Sequence, residues 1–197
     1  MITSASIEAF VDTYALIPAQ VNFLNLETLI PFVTSMFLHA GLLHIGSNML
    51  FLWVFGDNIE AHFGKLWYLL IYFVSGVTGG LVQYFISPDS SIPMLGASGA
   101  VSGILGAYYV SHPHSKIKSL VFIFFFVTVL RVPAGIYILY WFALQVLSGI
   151  LQLGQMGDVG GVAFWAHIGG FVAGVILAKI GHKEYNEGVI EGEYEEA

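Results

Sequence analysis

The chain has 197 residues, of which 57% are hydrophobic and 10% charged, with a mean hydropathy of +0.80. That is too apolar for a water-soluble domain, so the class is an all-α membrane protein of several spans gathered into one bundle. The absence of cysteine excludes disulfides, thiolate metal sites and cysteine nucleophiles, and the net charge of −7 argues against a nucleic-acid partner.

No Lys or Arg precedes Lys65, so the start lacks the basic region of a secretory signal. A bilayer core of ~30 Å takes ~20 apolar residues per helix, and helices are expected near residues 35–56, 66–86, 98–112, 133–152 and 161–179. Between the third and fourth lies IKSLVFIFFFVTVLRV, flanked by Lys116 and Lys118 at one end and Arg131 at the other. The positive-inside rule puts both ends on the cytoplasmic side, as a re-entrant or interfacial stretch that does not cross. Lys65, Lys116, Lys118, Arg131, Lys179 and Lys183 then share one side of a five-span topology with the N-terminus outside. Residues 1–182 form the membrane domain. Residues 183–197, rich in glutamate, are expected to be a solvated, disordered tail.

Polar side chains at membrane depth are costly and are candidates for function. Counting ~1.5 Å per residue from the expected cytoplasmic ends puts Ser98 at roughly 22 Å, His44 at roughly 20 Å and His167 at roughly 18 Å, with Asn48 one turn below His44. A serine needs a base to lose its proton, and neutral histidine is the usual one, so Ser98 and His167 fit nucleophile and base. Pro93 and the LGAS run break the chain before Ser98, so a helix starts inside the membrane there. Its unpaired N–H groups and positive dipole end could stabilise an oxyanion, with His44 and Asn48 as further donors. Gly99 and Gly103 on one helix and Gly170 and Gly174 on another are small-residue faces whose close approach brings His167 to Ser98.

The other polar groups read more simply. His39 is expected to fix an outer loop, and His62, His112, His114 and His182 sit at interfaces. HIGSN lacks the HExxH pattern of a zinc protease, and Gly56-Asp57 lacks the second buried aspartate of an aspartyl protease. Residues 137–141 are expected to pack or face lipid, and the glycine-rich residues 152–161 to cap a wet cavity.

HAGLLHIGSN (residues 39–48), GASG (residues 96–99, with Gly96) and AHIGGFVAG (residues 166–174) resemble, in order, the motifs of the rhomboid intramembrane serine proteases. The resemblance implies a rhomboid-like bundle and a Ser98–His167 dyad. It also implies an oxyanion site of the Ser98 N–H, His44 and Asn48, with no cofactor and no metal. Partners would be the lipid bilayer and transmembrane protein substrates, cut in or beside their spans, and the location a prokaryotic cell membrane. Rhomboids have a six-helix core, and residues 7–18 look like the segment just after its first helix, so that helix is expected to be missing and this segment to find few partners. Some members stack a tyrosine on the catalytic histidine where this chain has Ser102, so His167 must be oriented by packing or by another ring. The alternatives are a catalytically silent relative that binds membrane-protein clients and a small transporter with a midplane polar site.

Overall fold

The computed structural model describes residues 3–123, 126–154 and 161–195. Helix α1 (Ser4–Tyr14) opens with a capping box in which the Thr3 side chain accepts from the Ser6 N–H. The chain then enters the bundle with Ala15, Leu16, Ile17 and Pro18 buried. Leu16 forms an antiparallel bridge with Met94 through N–H to carbonyl bonds of 3.0 and 2.8 Å. The expectation that this segment finds few partners holds for residues 7–14, which are exposed except for half-buried Val11, and is corrected for residues 15–18, which are buried and tied to the loop that leads into Ser98.

A short helix, α2 (Pro31–Thr34), runs into a 3₁₀ turn, Ser35–Phe37. Helix α3 (Leu42–Phe51) starts only after an irregular stretch, later than the expected residue 35. Its pattern is inverted relative to a soluble helix. Leu42 and Leu43 are about nine-tenths exposed, at 89% and 91%, while Asn48 is buried at 5%. Lipid takes the apolar face and the bundle takes the polar one.

The backbone stays helical through a π-helical stretch, Leu52–Gly56, into helix α4 (Asp57–Ile86). Gly64 breaks α4 with φ 78° and ψ 165°, a left-handed-side conformation that glycine adopts without strain. Twelve residues of straight helix would separate Gly56 from Tyr68 by ~18 Å. Instead a Cβ on Gly56 would lie 3.1 Å from the Tyr68 hydroxyl, so the two arms fold back on each other.

Helix α5 (Ser98–Ser111) is buried without interruption from Gly99 to Tyr108. Strands β1 (Lys116–Ile123) and β2 (Phe126–Pro133) pair antiparallel, with Lys118 opposite Arg131. The stretch expected as re-entrant or interfacial is thus a hairpin, favoured by its run of Val, Ile, Phe and Thr. Helices α6 (Ala134–Leu153) and α7 (Phe164–Glu195) complete the fold. The α7 backbone continues through the acidic residues expected to be disordered, which suits glutamate's helix propensity. Most of residues 152–161, the expected cap, lie outside the described residues.

Among the described residues, three segments are long and apolar enough to cross a membrane: Leu42–Ile86, Ala134–Leu153 and Phe164–Gly181. The first contains both arms of the Gly64 hairpin, and α5, at 14 residues, is shorter than a full span. Length alone therefore marks three segments where five spans were expected, within the expected all-α polytopic bundle.

The ends of the bundle differ. At one, His62 beside the Gly64 turn meets His112 with ring centroids 5.2 Å apart. There too Gly135 N–H donates to Pro113 at 2.9 Å, and Gly181 packs on Phe63 and Trp67. Lys65, Lys116, Lys118 and Arg131, all exposed, belong to the chain segments at this end. The Leu16–Met94 bridge and the Ser98 loop lie at the start of α5, its far end.

Candidate active site

The kernel is α4, α5 and α7, and glycine makes it close-packed. A methyl on Gly170 would run into the Gly99 carbonyl, and one on Gly174 into the Gly103 carbonyl. Gly79 of α4 meets the Ala166 carbonyl in the same way. The small-residue faces read from the sequence are therefore in direct backbone contact, and they set the spacing between α5 and α7.

That spacing leaves His167 Nε2 2.8 Å from Ser98 Oγ. Ser98 is the first residue of α5, so the orphan N–H groups of a helix start surround it. The loop that delivers it bends at Gly96, φ +120°, where a Cβ would sit 2.6 Å from His44 Nε2. Only glycine satisfies both that backbone conformation and that contact. The Gly96 N–H donates to the Ser35 carbonyl at 2.9 Å, and the Ser102 hydroxyl donates to the Ser98 carbonyl at 2.6 Å.

Ser98, His167, His44 and Asn48 all line one cavity of about 780 Å³. The Asn48 amide donates to the His44 carbonyl of its own helix at 3.0 Å, which occupies one of its two N–H groups. His39 lies edge-on to His44 with ring centroids 5.1 Å apart. Burial, and then the nearby His44, lower the His39 pKa from the usual 6.5, while a backbone hydrogen bond at Phe37 opposes them. Beside Ser98 a smaller hollow of about 40 Å³ is walled by Met36, Gly76, Gly80 and Ala100.

Two neighbours of His167 come from α6. Trp141 lies with its ring centroid 6.0 Å from the imidazole, tilted by 31°. One turn on, Gln145 Oε1 is 2.8 Å from His167 Nδ1. The need for another ring near His167 arose from Ser102, and Trp141 stands there. Gln145 was missed, although an amide in the middle of an apolar helix is itself the signal for a site residue.

The molecule is thus a polytopic helical membrane protein with a serine and a histidine paired in the wall of a cavity. Residues 26–184 match the family model described as Rhomboid domain, and the chain belongs to the rhomboid family. It is similar to "Rhomboid protein 1, mitochondrial" of Saccharomyces cerevisiae, 32% identical over 151 residues, covering 75% of this chain and 40% of that protein. It is also similar to "Rhomboid protease GluP" of Bacillus subtilis, 40% identical over 85 residues, 43% of this chain and 16% of that protein. "Presenilin-associated rhomboid-like protein, mitochondrial" of Mus musculus is 28% identical over 158 residues, 78% of this chain and 38% of that protein. The chain therefore spans about two fifths of the length of the two mitochondrial relatives. The expected prokaryotic cell membrane is corrected by these matches, because the yeast and mouse relatives, each aligned over three quarters or more of this chain, are mitochondrial proteins. The multi-pass membrane character stands.

Proposed function

We propose that the chain is an intramembrane serine endopeptidase that cuts transmembrane protein substrates in or beside their spans. The observation that carries this reading is the 2.8 Å contact between Ser98 Oγ and His167 Nε2 at the start of a buried helix. His167 takes the serine proton as Oγ attacks the scissile carbonyl, then returns it to the leaving amine. The Ser98 N–H, His44 and Asn48 supply donors to the oxyanion of each tetrahedral intermediate. Water then attacks the acyl-serine, with His167 again accepting the proton, and the hydroxyl is regenerated. The hollow beside Ser98 suits a small side chain next to the cut bond.

The test is labelling by a serine-directed fluorophosphonate together with cleavage of a transmembrane substrate. Wild type is expected to label and cleave. Ser98→Ala should abolish both with thermal unfolding unchanged, since a small residue remains at a packed position. His167→Ala should do the same through loss of the base. Cleavage that persists in Ser98→Ala overturns the assignment, and so does a folded wild-type protein that neither labels nor cleaves.

A further inference from the structure

We infer that Gln145 is the positioning residue of His167: its amide oxygen holds the imidazole in the one tautomer that can take a proton from Ser98. This rests on the Ser98–His167 reading above. A carboxamide oxygen only accepts hydrogen bonds. With Gln145 Oε1 at 2.8 Å, Nδ1 must carry the proton, and a neutral ring then presents a bare Nε2 to the serine hydroxyl. The opposite tautomer would set two lone pairs against each other and turn an N–H toward the nucleophile.

The amide's own orientation is set by α6. Gln145 Nε2 lies 3.5 Å from the Trp141 carbonyl. A carbonyl also only accepts, so the NH₂ end belongs there and the oxygen end faces His167. One turn of α6 supplies the ring beside the imidazole and the next fixes its proton.

Among the described residues, Gln145 is the hydrogen-bond partner of Nδ1 and Ser98 that of Nε2. Ser98 from α5 is the hydroxyl to be deprotonated. From α3 the cavity receives His44, and from α4 the neutral Gln83. Among the described residues, His44 is the one other titratable side chain in the cavity wall, and no Asp, Glu, Lys or Arg lines it. A carboxylate at this depth would carry a large desolvation cost. A neutral amide fixes the tautomer without it.

The test uses the full chain in phosphatidylcholine vesicles. Fluorophosphonate labelling rate is measured against pH, with kcat and KM on a transmembrane substrate and thermal unfolding alongside. Gln145→Leu keeps the volume and removes the acceptor. Its labelling rate and kcat are expected to fall about 10-fold with KM unchanged, less than the ~10² to 10⁴ of losing a general base. Gln145→Glu keeps an acceptor whether its carboxyl is neutral or ionised, so it should restore most of the labelling that Gln145→Leu loses. Wild-type labelling by Gln145→Leu overturns the inference. So does a folded Gln145→Glu that labels as slowly as Gln145→Leu at every pH, and Gln145→Met, which also removes the acceptor, decides the matter if Gln145→Leu fails to fold. Failure of folded wild type to label removes the Ser98–His167 reading and this inference with it. A labelled wild type with an equally labelled Gln145→Leu removes only the role of Gln145.

Discussion

Helices α5 and α6 both border His167, yet they are held in different ways. Helix α5 is buried continuously from Gly99 to Tyr108 and meets α7 backbone to backbone. Helix α6 is longer, and its buried residues are Ala134, Gly135 and Ile138 near its start and Gly149 near its end. Around Gln145, Leu144 and Leu147 are exposed. The kernel therefore sets the distance between hydroxyl and imidazole, while a helix facing lipid along most of its length sets which way the imidazole is protonated. Distance and orientation have separate sources in this fold.

The sharpest way to break the comparison is to wedge the kernel. Gly174→Val forces a branched side chain into the Gly103 carbonyl, where neither backbone can yield without parting α5 from α7. Overpacking typically costs ~1–3 kcal/mol. Here it should also separate Ser98 from His167, so loss of labelling should accompany a lower unfolding temperature. The matched control is Gly46→Ala on α3, where a Cβ would meet nothing within 4 Å. It should label normally and gain up to ~1 kcal/mol from helix propensity. Equal behaviour of the two variants would show that glycine contacts do not set the spacing.

A smaller effect is expected from Asn48→Ala, which removes a donor from the cavity wall and leaves the kernel intact. Turnover should drop by less than the ~10² to 10³ that one oxyanion donor can be worth, because the Ser98 N–H and His44 remain. Labelling should persist. Loss of labelling together with aggregation would mean that the Asn48 bond to the His44 carbonyl serves structure alone.

The smallest effect concerns the opposite end of the bundle. Burial lowers the pKa of His112 from its usual 6.5, and its Nδ1 lies 2.7 Å from the Ser111 hydroxyl. The unfolded chain then takes up protons at higher pH than the folded one. The His112 contribution to stability is present above about pH 6.5 and is lost as pH falls through that value. The unfolding temperature, tracked from about pH 8 to about pH 5, should fall less steeply in His112→Phe than in wild type. Identical slopes would assign the pH dependence elsewhere, with His39 the next candidate.

Much of the kernel and of the cavity wall was legible because membrane depth can be counted along a helix. Ser98, His44, Asn48 and His167 fell near one level by arithmetic on helix rise, and Gly99, Gly103, Gly170 and Gly174 announced their contact by spacing. The hairpin at residues 116–133 was not legible, because a short apolar run has the same composition as strand, re-entrant loop or buried helix, and only backbone pairing separates them. Gln145 was missed for another reason. Its partner lies 22 residues away, and nothing in a periodic pattern says toward which neighbour a single amide points. The Leu16–Met94 bridge joins residues still farther apart through main-chain groups, which leave no trace in side-chain identity.

The Gly64 reversal bears on how such a chain enters a membrane during synthesis. Leu42–Ile86 is one helical segment of 45 residues, long enough to cross and return. Its midpoint carries Asp57, Asn58, Glu60, His62 and Lys65, groups that resist leaving water. Once the first arm lies across the bilayer, a one-residue turn with its polar tip in water commits the second arm to come back beside it. The two arms are then born as neighbours. α4 is already in place as a wall before α5, the shorter and glycine-rich helix that bears Ser98, emerges to pack against it.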